Sequence, residues 1–324
     1  MTADPLSELF DLVELRGQMT GGFEGRGQWV SHGLVDDPLK LVAVAHGRAR
    51  LSTDGLDAPL ELGPGDVALL NNRRWLHLAG GTGEGPPREI FPDPSYRITR
   101  DDNDHSGGQD TPDIVLGARV GLNSLGQTLL LEALPPVGHV RASTAPATGL
   151  RRLLDDLVEE AAESRIGSVF AVRQYGQLLV LEVVRAYLDQ AQPSPGWLRV
   201  VRDERLRPAL DLMHAAPEKP WQLADLARAA AMSRTTFAQR FRIMAGVPPL
   251  TYLHRWRMLL AQRALRDRDV RIGSLAAELG YASDSAFSTA FRREWGEAPQ
   301  RYRDRARGES AARTGPAADR RSRR

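Results

Sequence analysis

The residues whose chemistry stands out are arginines, and they concentrate in the C-terminal part of the chain. Residues 197–324 contain 26 basic and 14 acidic side chains, whereas residues 1–196 contain 17 basic and 27 acidic ones, giving formal charges of +12 and −10. Because neutralisation of phosphates by Lys and Arg supplies the sequence-independent part of nucleic-acid binding, this asymmetry suggests that the C-terminal part contacts a polyanion. A GC-rich genome that favours arginine is the competing explanation of the count.

Other reactive side chains give weaker signals. The chain has no cysteine, which excludes disulfides and thiolate metal sites and fits a reducing compartment. An acidic cluster surrounds His105 and comprises Asp101, Asp102, Asp104 and Asp110, but its glycine-rich setting favours a solvated loop over a cation site. The first ten residues lack the pattern of a secretory signal, and no run of about 18 apolar residues occurs. We therefore expect a cytoplasmic, nucleoid-associated protein with no membrane partner.

The elements that position these side chains fall into two groups. A chain of 324 residues predicts roughly two domains. Between residues 39 and 78, short apolar runs alternate with turn residues, which predicts a small β-sandwich or barrel. Residues 80–109 are predicted to form a long loop, and residues 114–122 and 127–134 to return as strands. Apolar residues at helical spacing then predict two helices between residues 150 and 188.

One pattern occurs twice beyond the proline-rich linker at residues 192–196. The residues of the first copy are Leu223, Leu226, Ala227, Ser233, Phe237 and Phe241, and those of the second are Ile272, Leu275, Ala276, Ser283, Phe287 and Phe291. In each copy the first three line a short helix, the serine caps the next helix, and the aromatic pair packs the second helix onto the first. This arrangement is a helix-turn-helix, whose second helix enters the major groove.

A single helix connects the two copies. It is predicted to begin near Pro249, and Leu253, Trp256, Leu260 and Ala264 give it a buried stripe at helical spacing. A separation of about 50 residues, bridged by one helix, can hold two recognition helices about one DNA turn apart. One helix-turn-helix pattern also occurs in inert bundles, whereas the doubled pattern on a basic background predicts sequence-specific binding to double-stranded DNA at a promoter or operator.

The doubled motif resembles the AraC/XylS-type family of transcriptional regulators. The resemblance lies between Trp221 and Arg303, in residues 232–237, 252–257, 280–281 and 291–293, with Pro299 and Tyr302 near its end. It implies that bases are read from the exposed face of each second helix. The corresponding positions are Thr235, Ala238 and Gln239 in the first copy and Asp284, Ser285, Ser288 and Thr289 in the second. A departure is Ala231, where a turn glycine is common in the family.

The chemistry of these positions differs between the copies. Gln239 can make two hydrogen bonds to adenine, Thr235 can bond a base edge or pack a thymine methyl group, and Ala238 offers only a methyl contact. Asp284 would repel phosphate and could accept only from cytosine, so we expect the second copy to bind more weakly or mainly to position the protein. Candidates for phosphate contacts are Arg234, Arg240, Arg242, Arg255, Arg292 and Arg293, although each could equally solvate a helix face.

The front part resembles, less specifically, the cupin-type β-barrel that precedes the DNA-binding unit in one branch of these regulators. Residues 4–6, 15–17, 41–47 and 60–67 carry this resemblance. Enzymatic cupins bring a His-x-His pair, a Glu and a later His around a metal, and that spacing is not found in this sequence. We therefore expect no metal, no other cofactor and no enzymatic activity.

Four side chains of the front part are candidates to line an apolar effector pocket. They are Trp29, His32, Trp75 and His77. An apolar cavity with a few polar points is the usual form of a small-molecule site. Burial of either tryptophan in the core explains these residues at least as well.

The predicted fold is a multidomain α+β protein with four segments. These are a cupin-like β-barrel with a regulatory role (1–145), a helical dimerisation or brace segment (146–192), a tandem helix-turn-helix domain (193–304) and a disordered basic tail (305–324). The helical segment could instead simply cover the open end of the barrel.

The leading interpretation is a regulator whose barrel senses a small molecule. A regulator with a structural or dimerising front domain is second, and a cupin enzyme fused to a DNA-binding tail is third. An unidentified effector, RNA polymerase and a second copy of the chain are candidate partners.

Overall fold

The chain divides into two compact units, Met1–Arg199 and Val200–Arg324. The computed structural model describes residues 5–82, 86–92, 97–99, 111–123, 126–142, 148–162, 165–190 and 196–314. The acidic cluster of Asp101, Asp102, Asp104 and Asp110 around His105, predicted to be a solvated loop, lies outside these residues. None of the described helices is long and apolar enough to cross a membrane.

The first unit is built on two β-sheets. Its strands are β1 (Arg16–Gly25), β2 (Trp29–Leu34), β3 (Leu39–His46), β4 (Ala49–Thr53), β5 (Leu60–Leu62), β6 (Val67–Asn71), β7 (Trp75–Gly80), β8 (Arg88–Glu89), β9 (Ile98–Thr99), β10 (Asp113–Gly121) and β11 (Val137–Val140). One sheet has the order β11-β6-β3-β10-β1-β9 and the other the order β5-β4-β7-β2-β8. The prediction of a β-rich, cupin-like front part is confirmed.

Helices cover the outer face of the first sheet. A short helix, α1 (Pro5–Leu12), precedes β1, and the predicted pair of helices is present as α2 (Thr148–Ala162) and α3 (Ser168–Gln190). α2 packs on β3, and α3 packs on β1 and β11. Because both faces of this sheet are covered, β3 and β6 are apolar along most of their length. The face of the first sheet that meets the second contributes Phe23, Val42 and Val44 to one core.

The contact between α3 and β1 is unusually close. A side chain at Gly17 of β1 would overlap the backbone carbonyl of Gly176 in α3, so glycine at position 17 permits this approach. The neighbouring Gln177 accepts a hydrogen bond from the Gly17 amide at 2.8 Å and donates one to the Leu15 carbonyl at 2.8 Å. One side-chain amide therefore joins the helix to the backbone of the strand at two points.

The prediction of a strand at residues 127–134 is wrong. Gln127–Leu131 forms a π-helical turn, and the returning strand is β11. Leucine, alanine and glutamate favour helices, and a short apolar run does not distinguish a buried helix from a buried strand. The buried amide of Asn71 donates to the carbonyls of Leu131 and Leu134 at 2.8 and 2.9 Å, which satisfies two acceptors at the end of this helical segment.

Among its described residues the second unit contains helices only. They are α4 (Trp197–Val201, which spans the boundary), α5 (Arg207–Ala215), α6 (Leu223–Ala229), α7 (Arg234–Ala245), α8 (Pro249–Asp267), α9 (Ile272–Glu278), α10 (Asp284–Trp295) and α11 (Pro299–Thr314). The sequence predicts a disordered tail from residue 305, whereas α11 continues to Thr314. Alanine and arginine are good helix formers, and Ala306 is buried in the core of this unit. The rest of the predicted tail lies outside the described residues.

Candidate nucleic-acid interface

Both copies of the repeated pattern form a helix-turn-helix, with α6 and α7 in the first and α9 and α10 in the second. Ser233 caps α7 by accepting a hydrogen bond from the Thr236 amide at 3.2 Å, and Ser283 caps α10 by accepting one from the Ala286 amide at 3.2 Å. The two recognition helices also end alike, since Gly246 and Gly296 follow them in the left-handed conformation. The predicted caps are thus confirmed.

The aromatic pairs fix which face of each recognition helix points outward. The four rings of Phe237, Phe241, Phe287 and Phe291 are fully buried. Connecting helix α8 supplies part of the packing surface, because Tyr252 meets Phe241 edge-on at 5.4 Å between ring centroids. Leu253, Trp256 and Ala264 of the predicted stripe on this helix are buried, and Leu260 is half-buried.

The expected base-reading side chains lie opposite these aromatic pairs. On α7, Thr235 and Gln239 are exposed and Ala238 is half-buried. On α10, Asp284, Ser285 and Thr289 are exposed and Ser288 is half-buried. Each set therefore forms a small polar surface on the outer side of its helix. Asp284 lies against Gly273 of α9, where an added Cβ would come within 2.8 Å of both carboxylate oxygens.

Five of the six candidate phosphate ligands, all but Arg293, fall into two groups. Arg234, Arg242 and Arg292 are exposed, and none of them has an ion pair within the described part of the chain. Arg240 differs, because its Nε atom donates to the Asp203 carboxylate at 2.7 Å and that carboxylate is only 2% exposed. Arg255 lies 3.7 Å from Glu294. Arg240 therefore makes its ion pair within the unit, and no pattern of residues pointed to this contact.

His254 of α8 contacts both parts of the second motif and was not singled out from the sequence. Its Nδ1 atom lies 3.0 Å from the Tyr281 hydroxyl, and its Nε2 atom lies 3.2 Å from Nη2 of Arg293. A neutral ring satisfies both contacts if Nδ1–H donates to Tyr281 and Nε2 accepts from Arg293. Burial lowers the pKa of His254, and the positive charge of Arg293 lowers it further. The ring therefore helps to orient an arginine on recognition helix α10.

The first unit contains a cavity of about 210 Å³ between its two sheets. Of the four predicted effector-pocket residues, only His32 lines it. Trp29 is instead buried in the core, where its ring packs edge-on against Phe23 and its Nε1 atom donates to Asp113 at 2.7 Å. Trp75 and His77 lie on β7 with the opposite orientation to Leu76 and Leu78, which do line the cavity. The four predicted residues do not converge on one site.

No group of three or more metal-ligating side chains occurs within the residues that the structure describes. His46 instead lies 3.2 Å from Asp155, and His139 lies 3.0 Å from Asp66. His32, His46 and His139 of the front unit therefore each contact a single carboxylate.

Two protein families match this chain. Residues 4–189 match the family described as Cupin, and residues 226–305 match the family described as Helix-turn-helix domain. A putative AraC-like transcription regulator of Streptomyces lividans is 32% identical over 302 residues, which covers 93% of this chain and 98% of the relative. One of Streptomyces antibioticus is 33% identical over 304 residues, with the same coverage of 93% and 98%. The HTH-type transcriptional regulator AlkR of Acinetobacter baylyi is 28% identical over 306 residues, covering 93% and 99%.

Proposed function

Since this chain belongs to the AraC-type family of DNA-binding transcriptional regulators, with a cupin front domain, we propose that it reads adjacent major grooves through α7 and α10. The observation that carries the proposal is the pair of serine-capped helices, each with its aromatic face buried and a polar face exposed. A helix of this kind presents side chains to base edges while its N-terminal end approaches a phosphate.

The two recognition helices have different roles in this proposal. α7 is the principal base reader, because Gln239 is exposed and can make two hydrogen bonds to adenine. α10 mainly positions the protein, because Asp284 near its start repels phosphate, while Arg292 and Arg293 contact the backbone. Arg234, Arg242 and Arg255 add phosphate contacts. Arg240 contributes through its bond to Asp203, which holds α7 in place.

The front domain is proposed to control DNA binding rather than to catalyse a reaction. The cavity between its sheets supports a small-molecule site, and a ligand that binds one conformation more tightly than another shifts their populations. The helices α2 and α3 are proposed to contribute to dimerisation or to brace the two domains. RNA polymerase is a partner through which the bound regulator would act at a promoter.

Selection of DNA sequences by the full chain tests the proposal. We expect one preferred motif with two groups of constrained bases separated by about 10 base pairs, which is one helical turn. Gln239→Ala should relax the preference at one or two positions at a cost of about 1–3 kcal/mol. A selection that enriches no motif would contradict sequence-specific regulation.

A further inference from the structure

The cavity of the front domain has walls from both sheets and an opening at the end of β2. Most of its wall is apolar and includes Phe23, Val42, Leu76, Leu78 and Val115. Ser31 at its back is buried, whereas His32, Gly33 and Leu34 are exposed, so the cavity reaches the surface there. Its volume of about 210 Å³ is below the roughly 300–1,000 Å³ typical of sites for drug-sized ligands. The space therefore suits a small molecule.

A lysine occupies the inner wall of this apolar cavity. Lys40 lies on the same face of β3 as the core residues Val42 and Val44, because side chains alternate along a strand. Its Nζ atom donates to the Thr20 hydroxyl at 3.3 Å. Thr20 stands at a β-bulge of β1, where the pairing with β10 shifts between Met19 and Gly21. The bulge therefore places a hydroxyl next to the ammonium group.

The ammonium group of Lys40, on a half-buried side chain, has no carboxylate partner among the described residues. No carboxylate of the described residues lies within ion-pair distance of it. Burial lowers the pKa of Lys40, Asp37 acts in the opposite direction, and the positive charge of Arg119 lowers it further. A cation in an apolar environment is costly unless an anion or several hydrogen bonds accompany it.

The opening of the cavity has exposed apolar side chains beside the polar pair of His32 and Glu89. Leu34 lines it and is 80% exposed, and Phe91, which is 61% exposed, packs edge-on against His32 at 6.0 Å between ring centroids. His32 in turn lies 3.0 Å from the Glu89 carboxylate. Exposed apolar residues around a cavity are typical of ligand sites rather than of ordinary surface. An apolar ligand would thus meet a compatible surface before it enters.

From this juxtaposition we propose that the cavity binds a small monocarboxylate, with its carboxylate on Lys40 and Thr20 and its apolar chain along Phe23, Leu76 and Leu78. The inference rests on the proposed control by a small molecule and names the chemical class of that molecule. A carboxylate supplies the missing counter-charge of Lys40 and accepts from both donors. The apolar wall favours a ligand whose remaining part is a hydrocarbon chain rather than a polar group.

Calorimetric titration of the full chain with butyrate, hexanoate and octanoate tests this inference, with 1-butanol, 1-hexanol and 1-octanol as uncharged probes. We expect at least one of the carboxylates to bind more tightly than the alcohol of equal chain length. Lys40→Met should weaken carboxylate binding by at least about tenfold, because charge-assisted hydrogen bonds are lost, and should weaken alcohol binding several-fold less, because a neutral hydroxyl loses only an uncharged acceptor's bond. Replacement of the half-buried, unpaired Lys40 by an apolar side chain of similar length should not destabilise the strand, so this variant should remain folded.

A second variant locates the ligand. Gly33 lies on the same face of β2 as the buried Trp29 and Ser31, and a Cβ there meets nothing within 4 Å, so Gly33→Val fills space at the opening. It should weaken carboxylate and alcohol binding together. Equal binding of carboxylate and alcohol, or full carboxylate binding by either variant, would overturn the inference.

The same titrations separate this inference from the proposed sensing function. If only neutral compounds bind and Gly33→Val blocks them, the barrel is still a sensor, but the carboxylate assignment is wrong. If neither these probes nor a broad panel of metabolites raises the melting temperature of the full chain, both proposals fail.

Discussion

Ala231 and Gly280 occupy the same turn position in the two copies of the helix-turn-helix, with φ angles of 50° and 76°. Ala231 departs from the family pattern, in which a glycine is common at this turn position. The structure shows that the backbone there is left-handed in both copies. Glycine enters this region freely, whereas alanine carries its Cβ into steric conflict with the following carbonyl. The first turn therefore retains a local conflict that the second avoids.

Ala231→Gly is expected to stabilise the second unit by about 1 kcal/mol, because the substitution removes this conflict. Urea unfolding of the full chain, followed through the transition of that unit, measures the change. Ala277→Gly is a matched control, since Ala277 is exposed in the ordinary helical backbone of α9 and should lose about 0.5–1 kcal/mol. Equal effects of the two substitutions would contradict the explanation.

Arg292 and Arg240 both lie on recognition helices, but their surroundings predict different consequences of removal. Arg292→Ala should weaken binding to every DNA sequence and reduce the slope of log affinity against log salt by roughly 1, because one phosphate contact is lost. Arg240→Ala should leave that slope almost unchanged. It should instead lower stability by about 1–3 kcal/mol, because the buried Asp203 carboxylate loses its partner.

Salt titrations of DNA binding and urea unfolding of both variants distinguish these outcomes. If Arg240→Ala changes the salt slope as much as Arg292→Ala does, then Arg240 leaves Asp203 and contacts phosphate in the complex. If it changes neither quantity, the ion pair contributes nothing measurable to stability.

At the scale of elements, the two parts of the chain differ in how clearly their sequences predict them. The two helix-turn-helix copies could be identified because several short-range signals indicate the same elements. Ser233 and Ser283 each cap the helix that follows, and the aromatic pairs recur at helical spacing. β1 gave no such signal, because four of its ten residues are glycine and its apolar residues do not alternate. The apolar run at residues 127–134 was predicted to be a strand, because a run this short does not distinguish a buried strand from a buried helix.

The candidate sites could be predicted only in part. Thr235 and Gln239 are exposed as expected, since their positions follow from helical periodicity. The effector-pocket residues could not be predicted, because the inner or outer orientation of Trp75 and His77 depends on strand register. Lys40 was overlooked because a single lysine in an apolar strand looks like an ordinary exposed charge until its face is known.

His254 gives the connecting helix α8 a pH-dependent contribution to stability. Burial and Arg293 hold the pKa of this ring below its ordinary value of 6.5, with smaller contributions from Arg257 and Arg255, while Glu294 acts in the opposite direction. The unfolded chain therefore binds more protons than the folded chain in the window just below pH 6.5. Stability rises with pH wherever this holds, so the contribution is complete above 6.5 and is lost as pH falls through the folded pKa.

We expect His254→Gln to flatten this dependence. Unfolding free energies of both proteins from about pH 5 to pH 8 measure it, and subtraction of the two curves removes groups that they share. The difference should shift in favour of the variant as the pH falls below 6.5. A difference curve with no slope in that window would show that the ring titrates alike in both states.

At the scale of the whole molecule, the net charge of +2 conceals a strongly polarised chain. The excess of basic residues lies in the part that carries both recognition helices, and the acidic excess lies in the front part. An acidic front domain repels the DNA backbone, so we expect DNA contact to be confined to the other part. The charge asymmetry is the sum of many side chains, so no single motif reveals it.

Residues 315–324 extend this polarity, because they contain four arginines and one aspartate, a net charge of +3. A chain truncated after Thr314 should bind every DNA sequence more weakly and show a shallower salt dependence, while its preferred motif stays unchanged. A full-length chain with these arginines replaced by glutamine controls for length. A changed motif, or an unchanged affinity at low salt, would contradict a purely electrostatic contribution.

The junction of Gly17 with Gly176 and Gln177 has a mechanical consequence for the front domain. Thr20, on the wall of the cavity, is only three residues along β1 from the point where α3 is fastened. β1 and α3 are therefore mechanically coupled at this junction. We expect a ligand that displaces β1 at Thr20 to displace α3 as well, because the strand is hydrogen-bonded to Gln177 and in close contact with Gly176.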